Sequence, residues 1–395
     1  MFHERVSHLQ AEGAYVVLAR AQALEAQGRE ILHLEIGQPD YPTPAHVARA
    51  GIEAIEEGQT RYVPPAGIAP LRAAIAREVS RRLGLNIEPE QVLLGPGAKP
   101  GLFYSTLALV GAGDEVIYPD PGFPSYAAII GIAGGTPVPV RLREEKNFSF
   151  DLDEFDARIS DRTKLIILNS PGNPTGSIIP LEDLKHIAQK AQKHNAWVIS
   201  DEIYSQLVYD GLTAPSIATL PGMMDRTVIV DGFSKTYAMT GWRLGYMIAP
   251  KPLAERVGLL LTHSIGCTAA FTQYAGLEAL TGPQECVREM VADYQRRRDR
   301  MVAGLNAIPG ITCQKPQGAF YVFPNITAFG LSSNEIATRL IDEAGVAVLS
   351  GSSFGTGGEG YLRLCYCTSM EVIERALEKM ETFFRNLAHA SGRSH

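Results

Sequence analysis

The sequence predicts an α/β protein whose large domain is built on a mostly parallel sheet covered by helices, with a smaller α+β domain beside it. Three observations carry this prediction. Short apolar, β-branched runs alternate with helix-length amphipathic segments over most of the chain. Glycine, proline or aspartate bounds most of the short runs, as turns between strands and helices require. After Gly282 the pattern changes to one long charged helix followed by short strands.

Seven short runs in the first two thirds of the chain are predicted strands. They are rich in valine, isoleucine and leucine, the side chains that suit a sheet buried on both faces. In chain order they are Gln91–Leu94, Glu115–Tyr118, Thr136–Val140, Lys164–Leu168, Ala196–Ser200, Thr227–Val230 and Arg243–Ile248.

The segments between the predicted strands have helical periodicity. In Leu181–Asn195, apolar residues recur at spacings of three and four, and Ala45–Glu57 follows a proline that suits a first helical turn. The repeated order of strand, helix and strand predicts a parallel sheet with helices on both faces. Ligands of such sheets bind where the strands end, so the loops after the strands are the candidate sites.

The chain beyond Gly282 is predicted to form a smaller α+β domain. Its long helix, Gln284–Asn306, contains the run Gln295–Arg300 with four arginines, which we expect to be a solvated helix face because acidic residues lie nearby. A last helix begins at about Met370. The short strands between these helices are predicted at Ile311–Cys313, Gly318–Phe323, Ala347–Leu349 and Tyr361–Tyr366.

Composition excludes several classes of protein. The chain has 395 residues, 45% of them hydrophobic and 20% charged, which indicates a globular protein of two or three domains. A net charge of −7 gives no support to a nucleic-acid partner. Five cysteines without a C-x-x-C motif predict neither a disulfide framework nor a metal site. We expect a soluble, cytoplasmic protein without a membrane partner, because no signal peptide and no long apolar run is present.

Lys235 is the strongest candidate for a catalytic residue. It lies in the run Gly232–Arg243, directly after a predicted strand, and Arg243 follows it by eight residues. A lysine amine forms a Schiff base with an aldehyde, and an arginine fork binds a phosphate. Pyridoxal phosphate needs both groups. A single loop lysine is usually solvated, but the Ser234-Lys235 pair with its spaced arginine argues against that simpler interpretation.

Asp201 follows the predicted strand Ala196–Ser200, where a carboxylate faces the ligand crevice. A pyridoxal cofactor requires an anion beside its ring nitrogen. An aspartate after a strand is also a common helix N-cap, so this residue alone is moderate support. Tyr204 lies three residues further on, which places its hydroxyl near the same ligand.

Three further turns connect a predicted strand to a helix. Asn173 lies in Ser170–Gly176, a rigid turn with two prolines and two glycines, and can donate to a phenolic oxygen. The small residues of Gly95–Lys99 let backbone N–H groups approach a phosphate. Phe123 is placed to lie on a planar cofactor, although a buried phenylalanine is more often part of the core.

The run Gly355–Gly360 matches the dinucleotide-binding pattern G-x-G-x-x-G. It precedes a predicted strand instead of joining a strand to a helix, so it is in the wrong context for a nicotinamide cofactor, and we interpret it as a flexible loop. Arg363 follows it. A guanidinium on this strand suits a substrate carboxylate, although an ordinary surface arginine is equally compatible with the local sequence.

Taken in order, these runs resemble the fold-type I pyridoxal phosphate aminotransferases, and more narrowly the class I/II aspartate and aromatic aminotransferase group. The resemblance covers the chain from Gly37 to Arg363. It implies a large domain of residues 47–282 and a small domain of 1–46 with 283–395 that closes over the substrate. It also implies transamination of an L-amino acid with a 2-oxo acid, for which 2-oxoglutarate is the expected acceptor.

The resemblance also implies a role for each matching residue. Lys235 looks like the Schiff-base lysine and proton shuttle, and we expect cationic neighbours to lower the pKa of its amine so that it can act as a base. The other cofactor contacts are matched by Asp201 at the pyridine nitrogen, by Asn173 and Tyr204 at the phenolic oxygen, and by Phe123 on the ring. The phosphate is matched by Ser234, Arg243 and the backbone of Ala98 and Lys99. On the substrate side, Arg363 matches the residue at the α-carboxylate, and Gly37 lies in the segment that closes over that group.

Tyr62 is similar to a tyrosine that reaches the phosphate of the neighbouring subunit. That match implies a homodimer with shared active sites. The amino donor stays open: in this group Lys99 can also point at the distal carboxylate of an acidic substrate, but Glu12–Tyr15 lacks the small hydroxyl residues expected beside it. Tyr15 is placed to shape an aromatic or aliphatic pocket instead.

Three alternative functions are compatible with parts of the sequence. A C–S β-lyase, an amino-acid oxidase or a cyclase on the same fold shares the machinery for α-proton removal, and the sequence does not exclude them. A nicotinamide-dependent dehydrogenase rests on the G-x-G-x-x-G match alone. A non-catalytic binding module has little use for a Schiff-base lysine.

Overall fold

The computed structural model describes residues 3–7, 9 and 11–390, which form thirteen strands. Those of the central sheet exceed the predicted runs by one to three residues at several ends. They are β1 (Leu32–His33), β2 (Val92–Gly95), β3 (Glu115–Asp120), β4 (Thr136–Arg143), β5 (Ser149–Phe150), β6 (Thr163–Asn169), β7 (Trp197–Asp201), β8 (Thr227–Gly232), β9 (Gly245–Ile248), β10 (Tyr321–Val322), β11 (Val346–Ala347), β12 (Leu349–Ser350) and β13 (Leu362–Cys365).

The same residues contain fourteen α-helices, and none of these is long and apolar enough to span a bilayer. They are α1 (Glu4–Ser7), α2 (Gly13–Glu25), α3 (Ala45–Glu56), α4 (Ala69–Leu83), α5 (Lys99–Leu109), α6 (Ser125–Ala133), α7 (Leu152–Arg158), α8 (Leu181–Lys193), α9 (Phe233–Thr236), α10 (Lys251–Thr262), α11 (Ala270–Thr281), α12 (Glu285–Asn306), α13 (Ser333–Arg339) and α14 (Met370–Ala390).

Eight strands form the central sheet, in the order β2-β9-β8-β7-β6-β3-β4-β5. The neighbours from β8 through β4 are parallel, and β9 and β5 are antiparallel to their neighbours. Side chains of β6 alternate between two apolar clusters: Leu165 packs with Leu102 of α5, whereas Ile166 packs with Leu184 of α8. Helices therefore cover both faces, which confirms the predicted α/β class with its mostly parallel sheet.

The N-terminal segment joins the C-terminal third of the chain. Strand β1 pairs in parallel with β11, Leu32 opposite Val346, and the antiparallel sheet β10-β13-β12 lies in the same part of the chain. Leu32 and Val346 share one apolar cluster with residues of α12 and α14, such as Tyr294 and Phe384. The two ends of the chain therefore pack together, and the division into two domains stays a prediction.

Two local predictions are wrong. The arginine run is not a solvated face throughout: Arg298 is fully buried and paired with Asp210, and the largely buried Arg297 is paired with Asp40. Both partners come from distant parts of the chain, which helical periodicity does not reveal. Ile311–Cys313 forms no strand, only an isolated bridge between Thr312 and Asn325.

Candidate active site

One edge of the central sheet collects the carboxyl ends of the neighbouring parallel strands β6, β7 and β8, together with the end of β2, from which β8 is separated by the antiparallel β9. Asn169 of β6 lies opposite Asp201 of β7, and Gly232 at the end of β8 lies opposite Gly245, where the antiparallel β9 begins. Gly95, the last residue of β2, also lies opposite Gly245. The loops that leave this edge hold most of the predicted site residues, as expected for a ligand site of a parallel sheet.

Lys235 lies in α9, a single helical turn directly after β8. Its ammonium Nζ donates a hydrogen bond of 2.6 Å to the carbonyl oxygen of Gly37 and lies 5.6 Å from the ring centre of Phe320. The pKa of this amine is lowered to about 8, mainly by burial and in smaller part by the positive charges of Arg363 and Arg243, against the raising effect of two nearby thiols. The direction is the predicted one, but burial is its principal cause.

Asp201 is a buried carboxylate held by neutral donors. The Tyr126 hydroxyl donates to its Oδ2 at 2.7 Å, and the backbone N–H of Ile203 donates to Oδ1 at 3.3 Å. Burial raises the pKa of Asp201 to about 6. Because these partners carry no positive charge, a bound cation beside Asp201 would be stabilised by it and would lower that pKa.

A chain of amide and phenol groups lies between Asp201 and Arg363. Asn169 donates to the backbone oxygen of Asp201 at 3.1 Å and accepts the backbone N–H of Asn173 at 2.8 Å. The Oδ1 atom of Asn173 accepts from Nη1 of Arg363 at 3.2 Å. The hydroxyl of Tyr204, a buried residue, is 2.8 Å from the hydroxyl of Tyr321.

Arg363 is a buried guanidinium that forms no ion pair with a carboxylate of the described residues. Its Nη2 donates to the backbone oxygen of Glu35, and its Cζ atom lies 4.4 Å from the ring centre of Tyr321 and 5.0 Å from that of Phe354. Among the described residues, its Nε has no hydrogen-bond partner. A buried positive charge of this kind favours an anionic ligand that brings its own carboxylate.

The turn after β2 and Arg243 form a narrow cradle. Arg243 donates to the backbone oxygens of Thr240 and Pro96 at 3.0 and 3.1 Å. A Cβ atom on Gly97, whose φ is +91°, would lie 2.4 Å from Nη2 of Arg243, so only glycine allows this approach. Helix α5 begins at Lys99, directly after this turn, so the backbone N–H groups of Ala98 and Lys99 lie at its N-terminus, where an anion is stabilised.

Phe123, Lys99 and Glu12 form a cluster next to the cradle. The ammonium of Lys99 makes a short ion pair with Glu12 and lies 5.2 Å from the ring centre of Phe123. The hydroxyl of Ser125 donates to the same Glu12 oxygen at 3.1 Å. The carboxylate of Glu12 therefore already neutralises the Lys99 charge.

Two predicted residues lie outside this arrangement in a single chain. The side chain of Tyr62 is 96% exposed and that of Tyr15 is 65% exposed. Neither is packed among the residues of the site, and both assignments stay predictions. Ser234, in contrast, is buried beside Lys235 in α9.

Sequence reasoning did not find Tyr126, Tyr321 or Asn169 as members of the site. Asn169 carried a usable signal, because it is a polar residue at the end of a buried strand. Tyr126 and Tyr321 carried none, because they reach Asp201 and Tyr204 across 75 and 117 residues of sequence.

Comparison with known proteins supplies the remaining context. The family model for aminotransferase class I and II matches residues 29–380. The chain is 41% identical to aromatic-amino-acid aminotransferase 2 of Thermococcus litoralis, over 90% of this chain and 92% of the relative. It is 40% identical to the aspartate aminotransferase of Pyrococcus horikoshii, over 96% of each. The solved aspartate aminotransferase of Thermus thermophilus with maleate has a TM-score of 0.91 at 37% identity, covering 97% of this chain and 99% of that one.

Proposed function

The chain belongs to the class I and II aminotransferases and is a pyridoxal phosphate-dependent transaminase, and on that premise we propose the role of each site residue and the substrates that the enzyme accepts. The dehydrogenase and binding-module alternatives do not agree with this family. The lyase, oxidase and cyclase reactions do not match the relatives, which are named for transamination.

The residues of the site fit pyridoxal phosphate. Asp201 is a buried carboxylate that lacks a cationic partner among its hydrogen bonds, and a protonated ring nitrogen supplies one. The cradle in which Gly97 faces Arg243 has the donors and the close backbone approach that a phosphate requires. When bound, the cofactor supplies an aldehyde for amines and a ring that accepts electrons from the reacting carbon.

In the proposed arrangement, Asp201 holds the ring nitrogen and Asn173 and Tyr204 hold the phenolic oxygen. Ser234, Arg243 and the backbone N–H groups of Ala98 and Lys99 bind the phosphate, and Phe123 covers the ring. The neutral form of the Lys235 amine takes the proton from the substrate α-carbon and holds it at Nζ until it is returned. Its pKa of about 8 leaves a useful neutral fraction near pH 7.

We assign the substrate α-carboxylate to Arg363. The observation that carries this assignment is the buried guanidinium, already oriented by Asn173 and by the backbone of Glu35, with an Nε donor that has no partner among the described residues. A carboxylate supplies a bidentate acceptor of the right charge. We also assign Gly37 to the segment that closes over this carboxylate, an assignment supported by the hydrogen bond from Lys235 to its carbonyl.

The ion pair between Lys99 and Glu12 supports a dual substrate range. With an acidic substrate such as 2-oxoglutarate, the proposed acceptor, Lys99 leaves Glu12 and pairs with the distal carboxylate. With a neutral aromatic or aliphatic donor, Glu12 neutralises Lys99, so the pocket accepts an uncharged side chain without leaving an unpaired ammonium beside it. We propose a neutral donor and an acidic acceptor on these grounds.

Glu12→Gln should shift this balance. Removing the competing carboxylate frees Lys99, so KM for 2-oxoglutarate is expected to fall by about two- to fivefold, because an exposed ion pair contributes up to about 1 kcal/mol. KM for phenylalanine is expected to rise. Steady-state kinetics with both substrates measure the two changes, and Glu25→Gln, at the opposite end of the helix α2 that Glu12 precedes, is the matched control. A rise of both KM values, or a fall of both, would contradict the proposed exchange of Lys99 between Glu12 and the substrate carboxylate.

A homodimer with shared sites is part of the proposal. Exposed Tyr62 and an open cavity of about 630 Å³ lined by Arg243, Trp242 and Phe271 support it, because a hydroxyl from a second copy has room to reach the phosphate there. A solution mass of one chain would refute the dimer.

The division into a domain of residues 47–282 and a domain of residues 1–46 with 283–395 is supported by the pairing of β1 with β11. The proposed cytoplasmic location is supported by five cysteines that form no disulfide.

A further inference from the structure

The glycine-rich loop 354–360, whose sequence matches a dinucleotide motif, lies against the end of strand β3. Both oxygens of the Asp120 carboxylate are used: the hydroxyl of Thr356 donates to Oδ2 at 2.9 Å, and the N–H of Gly357 donates to Oδ1 at 2.9 Å. The N–H of Gly122 donates to the carbonyl of Phe354 at 2.8 Å. Three hydrogen bonds thus join two segments that are more than 230 residues apart.

The glycines of this loop are explained by the same contact. Gly355 has a φ of +117°, and a Cβ atom on it would lie 2.1 Å from Oδ1 of Asp120. A Cβ atom on Gly357 would lie 2.7 Å from the backbone oxygen of Asp120. Because Asp120 is only 4% exposed, its carboxylate depends on these donors instead of water. The motif therefore serves close packing around a buried carboxylate.

Each side of this contact leads to a different part of the active site. Asp120 is the last residue of β3, and Phe123 lies three residues after it in the following loop. On the other side, the buried ring of Phe354 lies 5.0 Å from the guanidinium of Arg363. The contact therefore links the proposed ring-covering residue to the proposed carboxylate-binding residue.

We propose that Asp120 is a positioning residue that sets the place of Arg363 relative to Phe123. Neither Asp120 nor the loop is assigned a contact with substrate. Without the carboxylate, Gly357 and Thr356 lose their acceptor, and Phe354 and Arg363 are free to shift away from the Phe123 loop. This inference rests on the proposed roles of Arg363 and Phe123.

Asp120→Ala tests it by a split between KM and kcat. Loss of two hydrogen bonds to a buried charged group is expected to raise KM for donor and acceptor by about tenfold or more. The value of kcat should stay within about threefold, and the bound cofactor should be retained, because Lys235 and Asp201 are untouched. Asp120→Asn, whose amide oxygen still accepts from Gly357, should recover most of the loss.

Asp114→Ala is the matched control. Asp114 lies just before the first residue of β3, and its carboxylate accepts a hydrogen bond from the N–H of Gly111 at 2.9 Å. The substitution therefore removes the same kind of hydrogen bond at the end of β3 that is remote from the site. KM values are expected to stay near wild type. If Asp120→Ala does not fold, Thr356→Val removes one donor and should give a smaller rise of KM alone.

Three results would overturn the proposal: KM within twofold of wild type in folded Asp120→Ala, an equal rise in Asp114→Ala, or no recovery in Asp120→Asn. Arg363→Lys separates this failure from failure of the proposed function. If it raises KM while Asp120→Ala does not, only the positioning role is wrong. If Arg363→Lys leaves KM unchanged, the assignment of the substrate carboxylate is wrong.

Discussion

Lys235→Ala is expected to lower kcat by about 10⁴-fold or more, because it removes both the amine that holds the aldehyde cofactor and the base for the α-proton. The variant should also lose the visible absorbance of the lysine-linked cofactor. Steady-state turnover with phenylalanine and 2-oxoglutarate, together with an absorbance spectrum, measures both effects.

The controls for this variant separate chemistry from folding. Lys193→Ala, an exposed lysine at the end of α8, should behave as wild type. Adding methylamine to Lys235→Ala should restore part of the rate, since a small free amine can enter the vacated space and take the proton. Turnover above about 1% of wild type without added amine would contradict the role of Lys235.

Asp201→Asn is expected to lower kcat/KM by about 10²- to 10³-fold, the loss typical when a buried charge pair is broken at about 3–5 kcal/mol. The amide keeps nearly the shape of the carboxylate and an oxygen for the Tyr126 hydroxyl, but it has no charge to hold a protonated ring nitrogen. Single-turnover measurements of α-proton removal with a deuterated donor test this directly.

Asp231→Asn is the matched control for that variant. Asp231 is a buried carboxylate on the neighbouring strand β8, but it accepts from Ser205 and Tyr246 and faces Arg82, away from the proposed ring. Burial raises the pKa of Asp231 to about 7, against the lowering effect of Arg82. Equal losses of proton-removal rate in both variants would contradict the specific role of Asp201.

The sheet and the residues at its edge were predictable because they depend on local patterns. Asp201 and Lys235 follow buried apolar strands, and the ends of parallel strands meet at one edge whatever the rest of the chain does. The class of the fold followed from the same alternation of strands and helices.

Long-range pairs were beyond the sequence. The arginine run was assigned to solvent because local patterns reveal only the nearby partners Asp293 and Asp299, whereas the partners that bury Arg297 and Arg298, Asp40 and Asp210, come from distant parts of the chain. The ion pair of Lys99 with Glu12 joins residues 87 positions apart, so the neutralisation of Lys99 was not predictable. The Gly355–Gly360 run was interpreted as a flexible loop, because its packing on Asp120 is visible only in the fold.

The most direct test of the account is to locate the covalent link between the cofactor and the chain. Reduction of the holoenzyme with sodium borohydride makes the link stable, and peptide mass spectrometry then finds the modified residue. We expect one modified lysine, Lys235, in the peptide that contains Ser234. A cofactor mass on any other lysine, with Lys235 unmodified, would contradict it.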